Sequence, residues 1–231
     1  MKLALLSDAH GNAPALRACL AAAERCHPDT RYFLGDAVGY MPGGAEVIDA
    51  LEAAGYLCQQ GNHEAMLLRG GKRAEAGEEV YRLQAAAYDN GVRDRLQAWP
   101  TRRTLEVDGR RILLVHGSPD DALWGGVYPD TDLAPWDDLA YDAVFMAHTH
   151  RPFVTQRGET LFCNTGSTGL PRDQGDACSF ALYDSGDHAA RVYRVPMPTE
   201  AVLDAYGEHI HPSVREVLER RTDPYPGEAA P

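Results

Sequence analysis

The amino-acid sequence predicts a protein of the α/β class whose second half is richer in strands, as in α+β proteins. Residues 2–59 alternate between short apolar runs and helical stretches in the order β-α-β-α-β. This order favours a parallel core with right-handed crossovers. Residues 101–195 contain several short apolar runs separated by turn residues, which is typical of strands with short connections.

The first half is expected to form three strands and two helices. Residues 2–6 (KLALL) predict a buried strand. Asn12 as the N-cap and Pro14 in the first turn predict a helix over residues 12–26. The remaining elements expected here are a strand at residues 31–34, a helix over 45–54 and a strand at 56–59.

The pattern changes in the second half. Residues 64–98 predict a helical insertion with a polar connector, which could act as a lid over a site or only cover a sheet edge. Asp108-Gly109 between two apolar runs predicts a hairpin with a type I′ turn. The later elements expected are strands at residues 143–147, 152–156, 160–163, 178–183 and 189–195, and helical stretches near 199–220.

Length and composition predict a single domain over residues 1–221, with residues 222–231 expected to form a disordered tail. No stretch approaches the roughly 18–20 apolar residues that a membrane span needs, so a soluble, cytoplasmic protein without a membrane partner is expected. Five widely spaced cysteines without a C-x-x-C pair favour reduced, mostly buried thiols over a disulfide framework or a thiolate zinc site.

The charge balance argues against a nucleic-acid binder. Lys and Arg number 22 against 34 Asp and Glu, which gives a formal net charge of −12. This is the wrong sign for binding a phosphate backbone, so long nucleic acid is not expected as a partner. A small anionic substrate is still compatible, because bound metal ions reverse the sign of the local potential.

Polar side chains interrupt the sequence directly after five predicted strands. They are Asp8 and His10, Asp36, Asn62 with His63 and Glu64, His116, and His148 with His150. Taken singly, a strand-end Asp is more often a turn or cap residue, and a lone His is usually structural. Their conjunction favours a shared site, because ligands bind beyond the carboxyl ends of strands in α/β sheets.

Their chemistry indicates two metal ions. Eight oxygen and imidazole donors, the residues above without Glu64, include no thiolate. They are too many for one tetrahedral zinc but suit two ions that share a carboxylate. Such a pair activates water and clamps the oxygens of a phosphoryl group.

The motifs D-x-H, G-D-x-x-G, G-N-H-[DE], H-G and G-H-x-H, in this order, resemble those of the calcineurin-like metallophosphoesterase superfamily. The resemblance covers about residues 1–195, and GDAVGY and GSTGLPRDQGD are most similar to its small bacterial and archaeal phosphodiesterase-like branch. It implies a four-layer α/β/β/α sandwich of two mixed β-sheets flanked by helices, with a dinuclear site.

The resemblance also implies roles for single residues. The implied metal ligands are Asp8, His10 and His150 for one ion, Asn62, His116 and His148 for the other, and Asp36 as the bridge between them. His63 resembles the family's non-ligand histidine, which assists the leaving group while a hydroxide shared by the metals attacks the phosphorus from the opposite side.

Three positions depart from the family pattern. Glu64 stands where Asp is usual, so the carboxylate expected to orient His63 is one methylene longer. Ala147 replaces the Gly that commonly precedes His148, and Thr165 replaces a Pro in a loop expected near the site.

Substrate contacts are less specified. Tyr40, Trp124 and Tyr128 could form an aromatic wall against the leaving group, or pack in the core or lie exposed. Arg172 could bind a phosphate or form a surface ion pair.

The sequence therefore predicts a metal-dependent phosphoesterase that hydrolyses a phosphodiester or phosphomonoester. Cyclic nucleotides, dinucleoside polyphosphates, other small diesters and phosphoproteins all fit, and the metals could be Mn, Fe or Zn. The alternative is a non-catalytic protein-interaction scaffold on the same fold. A metallo-β-lactamase-type hydrolase would need H-x-H-x-D-H, which the sequence lacks.

Overall fold

The structure is a computed structural model that describes residues 1–69, 88–222, 225 and 227–230. The strands are β1 Lys2–Leu6, β2 Thr30–Phe33, β3 Leu57–Cys58, β4 Arg102–Val107, β5 Arg110–Val115, β6 Ala143–Met146, β7 Phe153–Arg157, β8 Thr160–Asn164, β9 Ala177–Asp184, β10 Ala189–Pro196 and β11 Glu228–Ala229. The helices are α1 Ala13–Glu24, α2 Gly44–Ala53, α3 Asn62–Arg69, α4 Asn90–Gln97, α5 Thr199–Tyr206 and α6 Pro212–Glu219, with 3-10 turns at Ala134–Trp136 and Gly207–His209.

The strands form two mixed sheets. The first sheet has the order β11-β10-β9-β1-β2-β3, and the second has the order β4-β5-β6-β8-β7. β1, β2 and β3 are parallel, as the β-α-β-α-β pattern predicted, whereas β9 is antiparallel to β1. In the second sheet β5, β6 and β8 are parallel, and the outer strands β4 and β7 are antiparallel to their neighbours.

The alternation of side chains along β1 explains how the layers stack. Leu3 and Leu5 pack between the two sheets, whereas Ala4 and Leu6 pack against the helices on the other face. Successive strand residues point to opposite faces, so one apolar strand serves two cores.

Aromatic and aliphatic side chains from both sheets fill the core between them. Phe145 of β6 meets Tyr183 of β9 in an edge-to-face contact, with ring centroids 5.4 Å apart. On the outer face of the second sheet, Trp136 stacks over Phe162 at 6.2 Å. Trp136 lies in the segment 117–142, which covers this face with a 3-10 turn.

Local signals in the sequence have clear structural counterparts. The Asn12 side chain accepts the N–H of Ala15, so it caps α1 as predicted. Asp108 and Gly109 both have positive φ, +50° and +77°, and they connect β4 to β5 as the predicted hairpin turn. Four of the five cysteines are buried.

Part of the segment 222–231, for which disorder stays a prediction, pairs with the first sheet. β11 pairs in parallel with β10, and the N–H of Ala230 donates to the carbonyl of Arg194. Strand pairing at a sheet edge uses backbone groups, so a segment without a strand-like side-chain pattern can join it.

The predicted insertion over residues 64–98 is described only at its two ends. Helix α3 begins at Asn62, within the polar motif itself, and α4 ends the insertion. Residues 70–87, on which the lid prediction depends, lie outside the described residues. Within the described part of the chain, no helix has the length and apolarity needed to cross a bilayer.

Candidate metal centre

The predicted site residues converge where the carboxyl ends of parallel strands from both sheets meet. We call the eight residues Asp8, His10, Asp36, Asn62, His63, His116, His148 and His150 the polar cluster. All are buried except His148, which is half-buried. The first five residues of this set follow β1, β2 and β3, and the last three follow β5 and β6, so each sheet contributes one side of the cluster.

One end of the polar cluster is built around Asp8. Asp8 Oδ1 lies 3.2 Å from His150 Nε2 and 3.8 Å from His10 Nε2. The two Nε2 atoms are 3.0 Å apart. One donor atom from each residue could thus reach a single metal ion.

The other end is built around Asn62. Its Oδ1 lies 3.0 Å from His116 Nε2 and 2.9 Å from His148 Nδ1. His116 Nε2 is also 3.3 Å from Asp36 Oδ2, and Asp36, His116 and His148 form a second group that could hold a metal ion.

Asp36 lies between the two ends. Besides its contact with His116, its Oδ2 is 3.6 Å from His10 Nε2 and 4.0 Å from His63 Nε2. Its Oδ1 accepts the backbone N–H of His63 at 2.9 Å, which fixes the carboxylate. One carboxylate oxygen therefore faces donor atoms from both groups.

The hydrogen bonds of three imidazoles leave their Nε2 atoms free to bind a cation. Three Nδ1 atoms face a backbone carbonyl: His10 faces Val38 at 3.2 Å, His116 faces Leu34 at 3.0 Å and His150 faces Leu170 at 2.6 Å. A carbonyl only accepts, so each Nδ1 carries a hydrogen and each Nε2 faces the cluster, where a ring presents a lone pair whenever it is neutral. Two such lone pairs 3.0 Å apart beside a buried carboxylate oxygen would be stabilised by a cation and not by each other.

The backbone at the cluster is held in an unusual conformation. Positive φ angles occur at Asp8 (+52°), His10 (+48°), Asp36 (+61°), His148 (+67°) and His150 (+57°). Such angles are uncommon outside glycine and cost about 1–3 kcal/mol each, so they persist where surrounding contacts enforce them. They turn the chain sharply after each strand and aim the side chains inward.

The electrostatics favour ionised carboxylates. Burial raises the pKa of Asp8, but attraction to His150, a hydrogen bond with it and attraction to His116 together outweigh burial and bring the pKa to about 2. For His116, burial lowers the pKa, but the negative charge of Asp36 raises it to about 9. Burial lowers the pKa of His148 to about 4, which leaves its ring neutral at pH 7.

Glu64 does not orient His63, contrary to the prediction. Both of its carboxylate oxygens are occupied by backbone N–H groups at 2.7–3.2 Å. The donors are Asp36 and Gly61 to Oε2, and Ala37 and Val38 to Oε1. The longer side chain of Glu64 thus reaches from α3 into the turn after β2, and burial together with the charge of Asp36 raises its pKa to about 7.

Comparison with known proteins agrees with this arrangement. Residues 1–188 match the profile of the calcineurin-like phosphoesterase superfamily domain. The chain belongs to the calcineurin-like phosphoesterase superfamily. The superfamily is metal-dependent, and the His and Asp groups of the polar cluster supply the donors that such chemistry needs.

Two archaeal relatives are similar in sequence. An uncharacterized protein of Methanocaldococcus jannaschii is 26% identical over 216 residues, which cover 84% of this chain and 86% of that protein. A probable metallophosphoesterase of Methanothermobacter thermautotrophicus is 26% identical over 103 residues, which cover 43% of this chain and 55% of that protein.

Solved structures confirm the predicted fold. A hypothetical protein of Pyrococcus horikoshii superposes with a TM-score of 0.85 at 19% identity and covers 96% of this chain and 99% of its own. A metallophosphoesterase of Sphaerobacter thermophilus superposes with a TM-score of 0.78 at 24% identity and covers 94% of this chain and 98% of its own. Two mixed sheets flanked by helices are thus common to all three.

The loop after β8 holds the backbone of Asp8 in place, a role that the sequence analysis did not predict. Ser167 Oγ donates to the carbonyl of Asp8 at 2.7 Å, and the N–H of Gly169 donates to the same carbonyl at 3.1 Å. Thr165, the departure from Pro, contacts Ser7 through their hydroxyls at 2.8 Å. The run of small polar residues NTGSTG was the available signal for this role.

Two of the predicted substrate residues lie beside the cluster. The Tyr40 ring is 4.7 Å from the His10 ring and 4.9 Å from the His63 ring, centroid to centroid. Arg172 Nη2 donates to the Tyr40 hydroxyl at 3.5 Å. Of the other aromatic candidates, Trp124 is half-buried and Tyr128 is 45% exposed, which fits the surface alternative for Tyr128.

Proposed function

We propose that the protein hydrolyses a small phosphodiester or phosphomonoester with two divalent metal ions. The observation that carries this proposal is two adjacent donor groups, Asp8 with His10 and His150 and Asp36 with His116 and His148. Asp36 Oδ2 lies 3.6 Å from His10 Nε2 and 3.3 Å from His116 Nε2, so it faces both groups. When bound, two such ions would supply a nucleophile at neutral pH and neutralise charge on the phosphoryl group.

The chain's own residues would divide the binding of the two ions. The proposed ligands are Asp8, His10 and His150 at one end, Asn62, His116 and His148 at the other, and Asp36 between them. Mixed imidazole and oxygen donors suit Mn, Fe or Zn.

His63 would assist the leaving group. Burial lowers the pKa of His63, so its ring is neutral before substrate arrives. An anionic phosphoryl group next to the ring favours the protonated form, and Nε2 can then pass a proton to the leaving oxygen.

Tyr40 and Arg172 would contact the substrate. Arg172 carries a positive charge within reach of Tyr40 and has no ion-pair partner among the residues that the structure describes. A guanidinium beside a dinuclear site can bind a second oxygen of a phosphate group. The net charge of −12 favours a small substrate over long nucleic acid, and the cytoplasmic location stays a prediction.

The test is hydrolysis of bis-p-nitrophenyl phosphate and p-nitrophenyl phosphate by the purified protein with added Mn²⁺, Fe²⁺ or Zn²⁺. We expect release of p-nitrophenol that needs a divalent ion and is lost after chelation. Well-folded protein that turns over neither ester with any of these ions would refute the proposal.

A further inference from the structure

Arg172 lies in a loop that bridges the polar cluster and the C-terminal part of the chain. We call residues 171–176 the Arg172 loop. On one side, the N–H of Arg172 donates to the carbonyl of His150 at 3.2 Å. The loop is therefore attached to a residue of the polar cluster, and its position determines where the guanidinium lies.

On its other side, the Arg172 loop rests on the end of α6 and the residues after it, which we call the C-terminal seat (residues 217–222). The N–H of Gly175 donates to the carbonyl of Arg220 at 2.9 Å, and the N–H of Thr222 donates to the carbonyl of Asp173 at 3.0 Å. Gln174 and Arg221 form an antiparallel bridge between them.

A buried ion pair ties the same loop to the first sheet. Asp173 Oδ2 is 3.1 Å from Arg194 Nη2, and the two side chains are 2% and 10% exposed. The same oxygen accepts the backbone N–H of Tyr225 at 3.3 Å. Contacts with β10 and with the segment that follows the seat therefore fix the position of Asp173.

Gly175 shows how closely the loop and the seat approach. A Cβ built on Gly175 would overlap the backbone carbonyl oxygens of Leu218 and Val217. Its φ angle is not in the left-handed region, so the requirement for glycine here is the close approach itself.

From these contacts we propose that the C-terminal seat positions Arg172 to bind an oxygen of the substrate, and that Asp173 and Gly175 are positioning residues for it. The inference rests on the proposed function, which assigns Arg172 to substrate binding. The seat lies outside residues 1–188, the part of the chain that matches the superfamily. Sequence to the C-terminal side of that match therefore helps to set substrate affinity.

The main test is Gly175→Ala in the full chain. We expect the KM for p-nitrophenyl phosphate to rise roughly 3- to 30-fold, part of the roughly 10- to 100-fold rise expected for Arg172→Ala when a charge-assisted hydrogen bond is lost. The kcat and the bound Mn²⁺ per chain should change less than about twofold, because this contact forms in the ground state as well.

Two further variants separate positioning from general loss of structure. Gly207→Ala is the matched control, because a Cβ there meets open space, and it should leave the KM unchanged. In the background of Arg172→Ala, Gly175→Ala should raise the KM no further, because the two changes act through one side chain. Additive effects, or a fall in kcat and metal content with the KM unchanged, would overturn the proposal.

If Gly175→Ala fails to fold, Asp173→Asn tests the same point, with Asp137→Asn as its control. Asp137 pairs with Arg157 at an exposed site, with Nη2 to Oδ2 at 2.8 Å. We expect only Asp173→Asn to raise the KM.

A readout independent of turnover distinguishes this inference from the proposed function. Gly175→Ala and Arg172→Ala should both weaken inorganic phosphate binding to the Mn²⁺-loaded protein, measured by titration calorimetry. Gly175→Ala should also speed amide hydrogen exchange in residues 171–176. If the protein hydrolyses no ester but shows these two effects, the function fails and the positioning stands. Unchanged phosphate affinity in Gly175→Ala would refute the positioning.

Discussion

His148 differs from the other imidazoles of the polar cluster in the nitrogen that faces inward. It presents Nδ1 to Asn62 at 2.9 Å, whereas His10, His116 and His150 present Nε2. Its own backbone N–H points at Asp8 Oδ2, 3.3 Å away. The sequence predicted that His148 and His150 both join the site, but it carries no information on which ring nitrogen faces inward, because that depends on the distance of each backbone from the centre.

Single substitutions can separate the proposed roles of Asp36 and His63. Asp36→Asn should lower both metal content and hydrolysis rate, because Asp36 Oδ2 faces both donor groups. His63→Ala should keep the metal ions and lower the kcat by about 10²–10⁴-fold, the usual contribution of a general acid. Metal analysis of the dialysed proteins and steady-state kinetics check this division. Equal metal loss in the two variants would contradict it.

Among elements, α3 and the turn after β2 depend on each other through Glu64. The sequence singled out Glu64 because it replaces an expected Asp, but the partner that it suggested was wrong. The actual partners of Glu64 are four backbone N–H groups. Every residue type other than proline has one, so a sequence pattern cannot predict which of them Glu64 binds. Because Glu64 is fully buried, the turn that carries Asp36 depends on those four hydrogen bonds.

Glu64→Gln should therefore destabilise the protein by about 2–4 kcal/mol, because an amide offers only one acceptor and turns its NH₂ against backbone donors. Glu64→Asp keeps the charge but falls one methylene short, so its loss should be smaller. Urea denaturation of the metal-free proteins measures both. Equal losses would mean that the length of the side chain, and not its charge, holds the turn.

Packing between the sheets is the second relation between elements that can be tested. Phe145 is fully buried and contacts Tyr183 from the opposite sheet. Phe145→Ala should cost about 3–5 kcal/mol of unfolding free energy through lost burial and a residual cavity. Leu203→Ala, at a side chain that is 38% exposed, should change it by less than about 1 kcal/mol. Comparable losses for the two would show that the sheets are not packed as described.

Across the whole molecule, the parallel half and the hairpin were predictable because their signals are local. β1, α1 and the Asp108-Gly109 turn follow from residues within a few positions of one another. The pairing of β9 with β1, about 180 residues apart in the chain, follows from the closure of the sheet and has no local signature. The same holds for Asp173 with Arg194 and for β11, whose partners only the complete fold supplies.

Metal binding should stabilise the whole molecule. The proposed ligands lie on both sheets, so ions that bind the native state and not the unfolded chain shift the unfolding equilibrium. At an ion concentration 100 times the Kd the gain is about 2.7 kcal/mol, which corresponds to a rise in Tm of roughly 5–10 °C for a chain of this size. Differential scanning calorimetry with Mn²⁺ and with a chelator measures it.

Asp36→Asn serves as the control in this experiment, because it lacks the carboxylate between the two donor groups. Its Tm should respond far less to Mn²⁺. An equal response would place the stabilising ions elsewhere on the protein.

The division of the cluster between the two sheets also bears on biosynthesis. Asp8, His10, Asp36 and Asn62 leave the ribosome early, but their counterparts His116, His148 and His150 follow only after half of the chain has been translated. A nascent polypeptide that stops before residue 116 carries one side of the centre only. Cation binding by the proposed ligands should therefore come late in synthesis, and truncated products should emerge without the complete set of ligands.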